Sequence, residues 1–174
     1  MQHQNYLGIF LGKERAVVVC LEPCESLRMI DCFTVSIAES EEKSFQLLAR
    51  MIASACSDRQ IDFGEVAVGL DCSIYMQHNL HSSFTDPRQI AHTVRFDTEE
   101  ALATDVSDLA LTFNVTATDD SGSNITVFTI RQKIIAELLS ALQSNGFDPV
   151  TIEPDSICLA RCIGQKTDLA IDTK

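Results

Sequence analysis

The sequence predicts an α/β protein of the α+β kind, with a mixed sheet and a small inserted α+β subdomain. Two observations carry this prediction: extended apolar runs alternate with helical patterns near the start, and a helix–strand–strand–helix segment occupies the middle. With 174 residues, 45% of them apolar and 22% charged, the chain is long and apolar enough to bury a core.

Three consecutive antiparallel strands are expected at the start of the chain. Residues 6–21 are rich in β-branched and aliphatic side chains and are interrupted only at 12–15, which predicts two strands joined by a tight turn. A third extended run covers residues 27–37, after a break that contains Pro23.

An amphipathic helix of about four turns is predicted to cover this sheet. Its apolar stripe is formed by Phe45, Leu48, Ala49, Ile52 and Cys56. Acidic residues at 41 and 42 are expected at its N-terminus, where the helix dipole favours negative charge. Residues 66–70 then form the short apolar run that is typical of a buried strand.

The middle of the chain predicts a ferredoxin-like β-α-β-β-α insert. Asp86 and Pro87 are an N-cap followed by a proline at the first helical position. The helix they open has an apolar stripe of Ile90, Val94, Ala101 and Leu102. Residues 109–118 and 125–130 form a hairpin around a turn at 119–124, and a second helix over 134–142 ends at Asn145-Gly146. We therefore predict a main subdomain at 1–75 and 147–174 and an insert at 76–146.

After the insert, a strand at 149–152 leads into a helix that opens at 153–156. The apolar stripe of this helix is Ile157, Ala160 and Ile163. The last run, at 168–172, begins another apolar strand.

Charge and composition restrict the functional classes. A formal charge of −12, from 25 acidic and 13 basic residues, would repel nucleic-acid phosphates and anionic lipids. No apolar run approaches the roughly 20 residues that span a bilayer, and the first residues lack a basic region followed by an apolar one. We expect a cytoplasmic protein whose seven cysteines, an odd number, stay reduced as small apolar fillers.

The element order and several segments resemble the PilM/GspL family of type IV pilus assembly and type II secretion. The opening hairpin at 7–19, the helix start at 85–90 and the stretch 146–161 each resemble a family segment, and residues 168–172 resemble the first strand of the second half. The resemblance implies an actin-like (ribonuclease H-like) fold. It covers essentially all 174 residues but only the first half of that fold.

The position of Phe10 decides what the resemblance implies about activity. ATP-binding members of the family have an aspartate there, which holds the magnesium that accompanies the nucleotide. Phenylalanine has no oxygen, whereas Mg²⁺ requires hard oxygen donors. The resemblance thus places only a degenerate nucleotide loop at Gly8, Gly12 and Lys13, with no catalytic residue, no metal ligand and no cofactor.

The resemblance therefore implies a non-catalytic scaffold at the cytoplasmic face of an inner-membrane assembly platform. Its expected partners are a PilN-like inner-membrane protein and an assembly ATPase, with docking at the edge strand 27–37 or the insert hairpin 109–130. The alternative is a nucleotide-binding actin-like ATPase, which would need Mg-ATP and the second half of the fold. A self-assembling homo-oligomer is a third alternative.

Other chemistry-bearing residues have simpler interpretations. Gly12-Lys13 reads as a hairpin turn because the longer Gly-rich phosphate loop is missing. Asp71 follows a buried strand and is expected to cap its own turn, although functional groups in α/β folds also occupy such places. His78 and His81 would point to opposite faces of an extended segment, so surface histidines are expected.

Two cysteine pairs and one acidic cluster remain. Cys20/Cys24 and Cys158/Cys162 have three residues between their members, whereas zinc sites use tighter pairs or added histidines. The acidic residues of the third cluster read most simply as a solvated helix face, with a partner-docking surface as the alternative. They are Asp97, Glu99, Glu100, Asp105 and Asp108.

Overall fold

A computed structural model describes residues 4–24 and 27–166. They fall into two compact units, one comprising the chain up to Ile74 and from Glu137 on, and the other Tyr75–Ala136. The elements are β1 (Tyr6–Leu11), β2 (Arg15–Glu22), β3 (Arg28–Ser36), α1 (Phe45–Asp58), β4 (Glu65–Leu70), β5 (Met76–Ser82), α2 (Pro87–Leu102), β6 (Leu109–Asp119), β7 (Gly122–Arg131), α3 (Gln132–Ser144), β8 (Pro149–Pro154) and α4 (Asp155–Lys166).

The first unit is built on a mixed five-stranded sheet. Its order is β3-β2-β1-β4-β8, in which β1, β2 and β3 are antiparallel neighbours and β1, β4 and β8 run parallel. Alternate residues of β1 and β2 are buried, because successive side chains of a strand point to opposite faces. The predicted opening of three antiparallel strands followed by a buried strand is confirmed.

Helix α1 covers one face of this sheet. Its N-cap is Ser44, whose Oγ accepts a hydrogen bond from the Leu47 amide at 3.2 Å. The predicted stripe is confirmed, since Leu48, Ala49, Ile52 and Cys56 are buried. The prediction for the acidic residues was wrong: the helix begins at Phe45, so Glu41 and Glu42 precede it and its first turn has no acidic residue.

Two cysteines belong to this core. Cys20 on β2 is fully buried and Cys56 on α1 is 4% exposed. Burial, together with the neighbouring Cys20 and Asp31, raises the pKa of the Cys56 thiol to about 11. The reactive thiolate is therefore scarce at neutral pH.

We expect Cys20 and Cys56 to resist alkylation at pH 8 while the exposed Cys32 and Cys72 react. Because a buried thiol must become exposed before it reacts, the labelling of Cys20 and Cys56 should follow unfolding of the first unit. Mass spectrometry of alkylated peptides across a urea titration measures this. Equal labelling of all four thiols in native buffer would contradict it.

Helix α3 ends as the sequence predicted, at Asn145-Gly146. Gly146 has φ +86, and the amides of Gly146 and Phe147 donate to the carbonyls of Gln143 (3.1 Å) and Leu142 (3.0 Å). This pattern is a Schellman cap. It turns Phe147 into the core, where its ring stacks on Phe63 with centroids 5.5 Å apart.

The second unit ends earlier than the insert limit predicted at residue 146. Its last residue is Ala136, in the second turn of α3. The buried residues of α3 are Leu138, Ala141 and Leu142, all of which group with the first unit. The helical pattern of the sequence predicts α3 but does not indicate to which unit the buried residues of its apolar face belong.

The second unit is a three-stranded antiparallel sheet in the order β5-β7-β6, with α2 connecting β5 to β6. This split β-α-β arrangement confirms the predicted ferredoxin-like insert. Its core is a cluster of helix and strand residues: Ile90, Val94, Ile125 and Val127, with Leu80, Leu111, Phe113 and Val115 packed against them. Asp86 is the N-cap of α2 and Pro87 its first residue, as predicted.

Three details of this unit differ from expectation. Thr98 rather than Ala101 completes the buried stripe of α2, because its Oγ1 donates to the Val94 carbonyl at 2.6 Å. The hairpin loop contains only Asp120 and Ser121, since Asp119 already pairs with Gly122. Strand β5, MQHNLHS, is mostly polar and owes its conformation to pairing with β7.

The end of the chain follows the predicted order. Strand β8 continues two residues beyond the predicted 149–152, and α4 begins at Asp155. Ile157 is half-buried, but Ala160 and Ile163 of the predicted stripe are exposed. The predicted run at 168–172 lies outside the described residues. Within residues 4–24 and 27–166, no helix has the length and apolar character needed to cross a membrane.

Candidate functional site

The carboxyl ends of β1, β4 and β8 meet at one edge of the five-stranded sheet. These three strands are parallel, so the residues that follow them are neighbours: Gly12-Lys13 after β1, Asp71 after β4 and Asp155 after β8. Ligands of open α/β sheets bind at this kind of edge. This edge is therefore the candidate functional site.

Gly12 and Lys13 form the hairpin turn between β1 and β2. The Gly12 amide donates to the Arg15 carbonyl at 2.9 Å, and Lys13 is exposed. A Cβ at Gly12 would lie 3.2 Å from the Arg15 carbonyl oxygen and 3.7 Å from Cβ of Asp71. Gly8 lies earlier, in mid-strand opposite Val19 and Ala67, and does not belong to this turn.

A row of three residues crosses the sheet beside this edge. Phe10 is in register with Gly69, and Gly69 is in register with Glu153, so the three lie on one face. Helix α4 covers this face, because a Cβ at Gly69 would lie 3.8 Å from Cys158 Sγ. We call Phe10, Gly69 and Glu153 the Phe10 row.

The carboxylate of the Phe10 row is held by helix α4. Both oxygens of Glu153 accept from Nη1 of Arg161, at 2.8 and 2.6 Å. Cys158 Sγ lies 4.0 Å from the same carboxylate. Burial, and the charge of Glu153, raise the pKa of the Cys158 thiol, which keeps that group neutral.

The two aspartates at the edge support its loops. Asp71 Oδ1 accepts from the Ser73 amide at 2.8 Å, and Asp155 Oδ2 accepts from the Cys72 amide at 3.3 Å. Hydrogen bonds from the Ser73 side chain and amide hold the pKa of Asp71 below its usual value, with help from the Arg15 and Lys13 charges. Asp71 thus caps its own turn.

Replacing Asp71 by alanine is expected to lower the free energy of unfolding by about 1 kcal/mol at pH 7. Since the folded pKa is depressed, the ionised carboxylate stabilises the fold above the unfolded pKa, near 4, and this stabilisation is lost as pH falls further. The difference between wild type and Asp71→Ala should therefore shrink below about pH 4. Urea titrations at several pH values measure it. Asp71→Asn, which keeps an acceptor oxygen, is the control and should lose less.

The Phe10 row does not fit a magnesium–nucleotide group. Phe10 offers no oxygen, Glu153 is engaged by Arg161, and Asp71 and Asp155 each accept a backbone amide. Over the described ranges, no group of three or more His, Cys, Asp or Glu residues is arranged to hold a metal ion.

The remaining candidates are dispersed. His78 Nε2 lies 3.3 Å from Thr129 Oγ1, whereas His81 contacts Asn124 Oδ1 at 3.2 Å. The cysteines with three residues between them have unlike surroundings: Cys20 is buried and Cys24 exposed, and Cys158 is half-buried and Cys162 exposed. The acidic residues at 99, 100, 105 and 108 are exposed, whereas Asp97 is half-buried and its Oδ2 accepts from Thr93 Oγ1 at 3.1 Å.

Sequence reasoning found the members of the Phe10 row separately but did not bring them together. Gly69 lies in the strand predicted at 66–70, Glu153 lies at the helix start predicted at 153–156, and Arg161 lies in the family-like stretch 146–161. The alignment of Glu153 with Phe10 in one row depends on the parallel pairing of β4 with β8, whose register shifts between Val66 and Ala67. Nothing in the sequence of either strand signals that shift.

Comparison with known proteins shows which family and which solved structures this chain resembles. The family model for Type II secretion system (T2SS), protein L, matches residues 74–174. No curated protein sequence matches the chain. Among solved structures, Cyto-EpsL, the cytoplasmic domain of EpsL, an inner membrane component of the type II secretion system of Vibrio cholerae, aligns with a TM-score of 0.61 at 18% identity. That alignment covers 87% of this chain and 57% of that one.

A second solved structure is a Bacteroides thetaiotaomicron protein with an actin-like ATPase fold and unknown function. It aligns with a TM-score of 0.49 at 11% identity, covering 94% of this chain and 57% of that chain. In both cases the chain spans little more than half the length of the solved structure.

The mixed sheet, with a ferredoxin-like unit inserted after its fourth strand, is an actin-like fold, as predicted. The family match covers more than half of the residues. The chain belongs to the type II secretion system protein L family.

Proposed function

We propose that this chain is a non-catalytic scaffold of a type II secretion inner-membrane platform, and that it acts at the cytoplasmic face by binding other proteins. Membership of the protein L family supports the secretion assignment over the pilus one. The likeness to the cytoplasmic domain of EpsL, itself an inner membrane component, supports the location.

The Phe10 row is the observation that carries the non-catalytic part of the proposal. A phosphate-binding edge needs oxygen ligands for a metal and open backbone amides for the phosphates. Here a phenyl ring occupies the β1 position, and the carboxylates around it are committed to Arg161 and to the loop after β4. Such an edge is suited to holding its own loops together.

The net charge of the chain supports a role in binding other proteins. Its charge of −12 favours partners with basic segments and disfavours direct contact with anionic lipid headgroups. An inner-membrane protein and an assembly ATPase of the same secretion system are the partners proposed. Membrane attachment would then run through the first of them.

Titration calorimetry of the full-length protein with Mg-ATP tests the non-catalytic assignment. We expect no binding at nucleotide concentrations up to about 1 mM, equivalent to less than about 4 kcal/mol of binding free energy. Phe10→Asp is the matched variant, since it restores a carboxylate at the same position. Micromolar binding by the wild-type protein would favour the alternative of an actin-like ATPase.

The partner assignment is tested in the native host. Full-length protein recovered from solubilised membranes should carry along other components of the secretion platform, identified by mass spectrometry. Secretion should be retained when the Phe10→Asp variant replaces the wild type, because the proposed role does not use nucleotide. Recovery without any secretion component would contradict the proposal.

A further inference from the structure

The outer edge of β6 is a surface to which a strand of another protein can add. In the part of the chain that the structure describes, the edge strands are β3 and β8 of one sheet and β5 and β6 of the other; β3 and β6 belong to the two docking segments that the resemblance implies. An edge strand presents unpaired amides and carbonyls to which another strand can add, and proteins usually obstruct such edges. The two edges differ in this respect.

The β3 edge is obstructed. Its pairing with β2 skips Ile30, which forms a bulge, and the next residue, Asp31, accepts the Cys32 amide on Oδ1 at 2.7 Å. The Asp31 carboxylate is further fixed by Arg59 Nη1 at 3.2 Å. An incoming strand would meet a bulge and a carboxylate in place of an open amide, so residues 27–37 are a poor site for strand addition.

The β6 edge is open only from Leu111 to Val115, because the pairing of β6 with β7 skips Thr116 and so forms a bulge of its own there. The Gln132 amide donates to the Asp108 carbonyl, and these residues share the register of the β6–β7 ladder. Hydrogen-bonded pairs alternate along an antiparallel ladder, so the amides and carbonyls of Leu111, Phe113 and Val115 point away from β7. The Leu109 carbonyl accepts from Arg95 Nη2 at 3.2 Å, which closes the edge at its start.

The side chains of this edge favour an added strand. Leu111, Phe113 and Val115 are only half-buried against the core under α2, and residues 109–118 contain no charged residue, proline or glycine. A neighbouring strand would bury more of these three side chains on one face and would meet Thr112 and Asn114 on the other. Its own sequence should therefore alternate apolar and polar residues.

The charges at the two ends of β6 indicate which kind of segment can bind there. Exposed Asp105 and Asp108 precede β6, and exposed Asp119 and Asp120 end it. A second copy pairing antiparallel at this edge would place the acidic end of one β6 against the acidic start of the other, at both ends of the pair. Like charges so placed cost several kcal/mol in interfaces. A segment with basic ends would instead be attracted to these aspartates, most strongly at Asp119 and Asp120, since the Arg95 guanidinium lies at the other end, on the Leu109 carbonyl.

We propose that β6 binds an extended, alternating apolar–polar segment of another protein, flanked by basic residues, by strand addition along Leu111, Phe113 and Val115. This inference rests on the proposed function, because it names the surface and the chemistry of a protein partner. It also distinguishes the insert hairpin from the β3 edge as the docking surface.

A synthetic peptide of alternating valine and threonine, with two lysines at each end, is the probe for full-length protein. We expect it to slow hydrogen exchange at residues 111–115 and leave 32–36 unchanged. The same peptide with glutamates at its ends should bind at least tenfold more weakly, a difference of about 1.4 kcal/mol. Equal affinity for the two peptides, or protection elsewhere, would overturn the proposal.

Two variants sharpen the test. Replacing Asp105, Asp108, Asp119 and Asp120 together by asparagine keeps the acceptor oxygens that cap Ser107 and Ser121, and should abolish the preference for lysine ends. Phe113→Pro removes one outward amide and should weaken both peptides; its far-ultraviolet circular dichroism must match wild type. If it does not, the asparagine variant alone decides.

A second copy is the remaining occupant. Concentration-dependent dimerisation that protects residues 111–115 without peptide would overturn the basic-segment proposal in favour of self-association. The Mg-ATP calorimetry is independent of this edge, so a failed peptide result leaves the non-catalytic assignment standing, and nucleotide binding leaves the edge proposal standing.

Discussion

Gly122→Ala is expected to destabilise the Tyr75–Ala136 unit by about 3 kcal/mol or more. Gly122 opens β7 with φ +135, a conformation that L side chains rarely adopt. A Cβ there would lie 2.1 Å from the Ser82 carbonyl oxygen and 3.0 Å from Ser83 Cα, so the backbone of β5 would have to move. Hydrogen exchange of peptides from α2 and β7, measured by mass spectrometry, should rise throughout.

Gly146→Ala is the matched control for this prediction. Gly146 also has positive φ, at +86, but an added Cβ would meet nothing within 4 Å. Its cost should be limited to the conformational term, about 1–2 kcal/mol. Equal losses for the two variants would show that the close approach of β5 and β7 at Gly122 is not what excludes a side chain.

Phe147→Ala is expected to lower the free energy of unfolding by about 3–5 kcal/mol. Phe147 is among the largest fully buried side chains and stacks on Phe63, so alanine would leave a cavity and remove the ring contact. Urea denaturation followed by circular dichroism measures the loss. Alkylation of Cys20 and Cys56 should accelerate in parallel, because they report on the same unit.

Val150→Ala on β8 is the comparison for Phe147. Val150 is 67% exposed, so its truncation should change the stability by no more than about 0.5 kcal/mol. Phe147→Leu keeps most of the buried volume and should cost less than alanine. A loss below about 1 kcal/mol for Phe147→Ala would contradict the assignment of this ring to the core.

The elements that could be predicted from the sequence are those whose signals are local. Asp86 and Gly146 act through backbone groups a few residues away, and the apolar stripe of α1 needs only the helical period. Strand β5 could not be predicted this way, because its conformation comes from pairing with β7, over 40 residues later in the chain. Thr98 was missed because a hydroxyl that bonds to its own helix is hidden from a hydropathy pattern.

The candidate site was predictable in its chemistry and not in its arrangement. Asp71 could be recognised as a turn cap from its position after an apolar run, whereas Phe10 could be recognised as a missing carboxylate only through the resemblance to the family. The commitment of Glu153 to Arg161 and the obstruction of β3 by Asp31 depend on side chains meeting across elements. Such meetings require the sheet register, which sequence periodicity does not supply.

The position of β8 at the far side of β4 has a consequence during protein synthesis. The partner that completes the parallel side of the sheet leaves the ribosome about 80 residues after β4 does, with the whole ferredoxin-like unit made in between. At typical translation rates this delay is on the order of 10 s. For that interval the nascent chain carries an open apolar strand, Glu65–Leu70, which a chaperone could shelter.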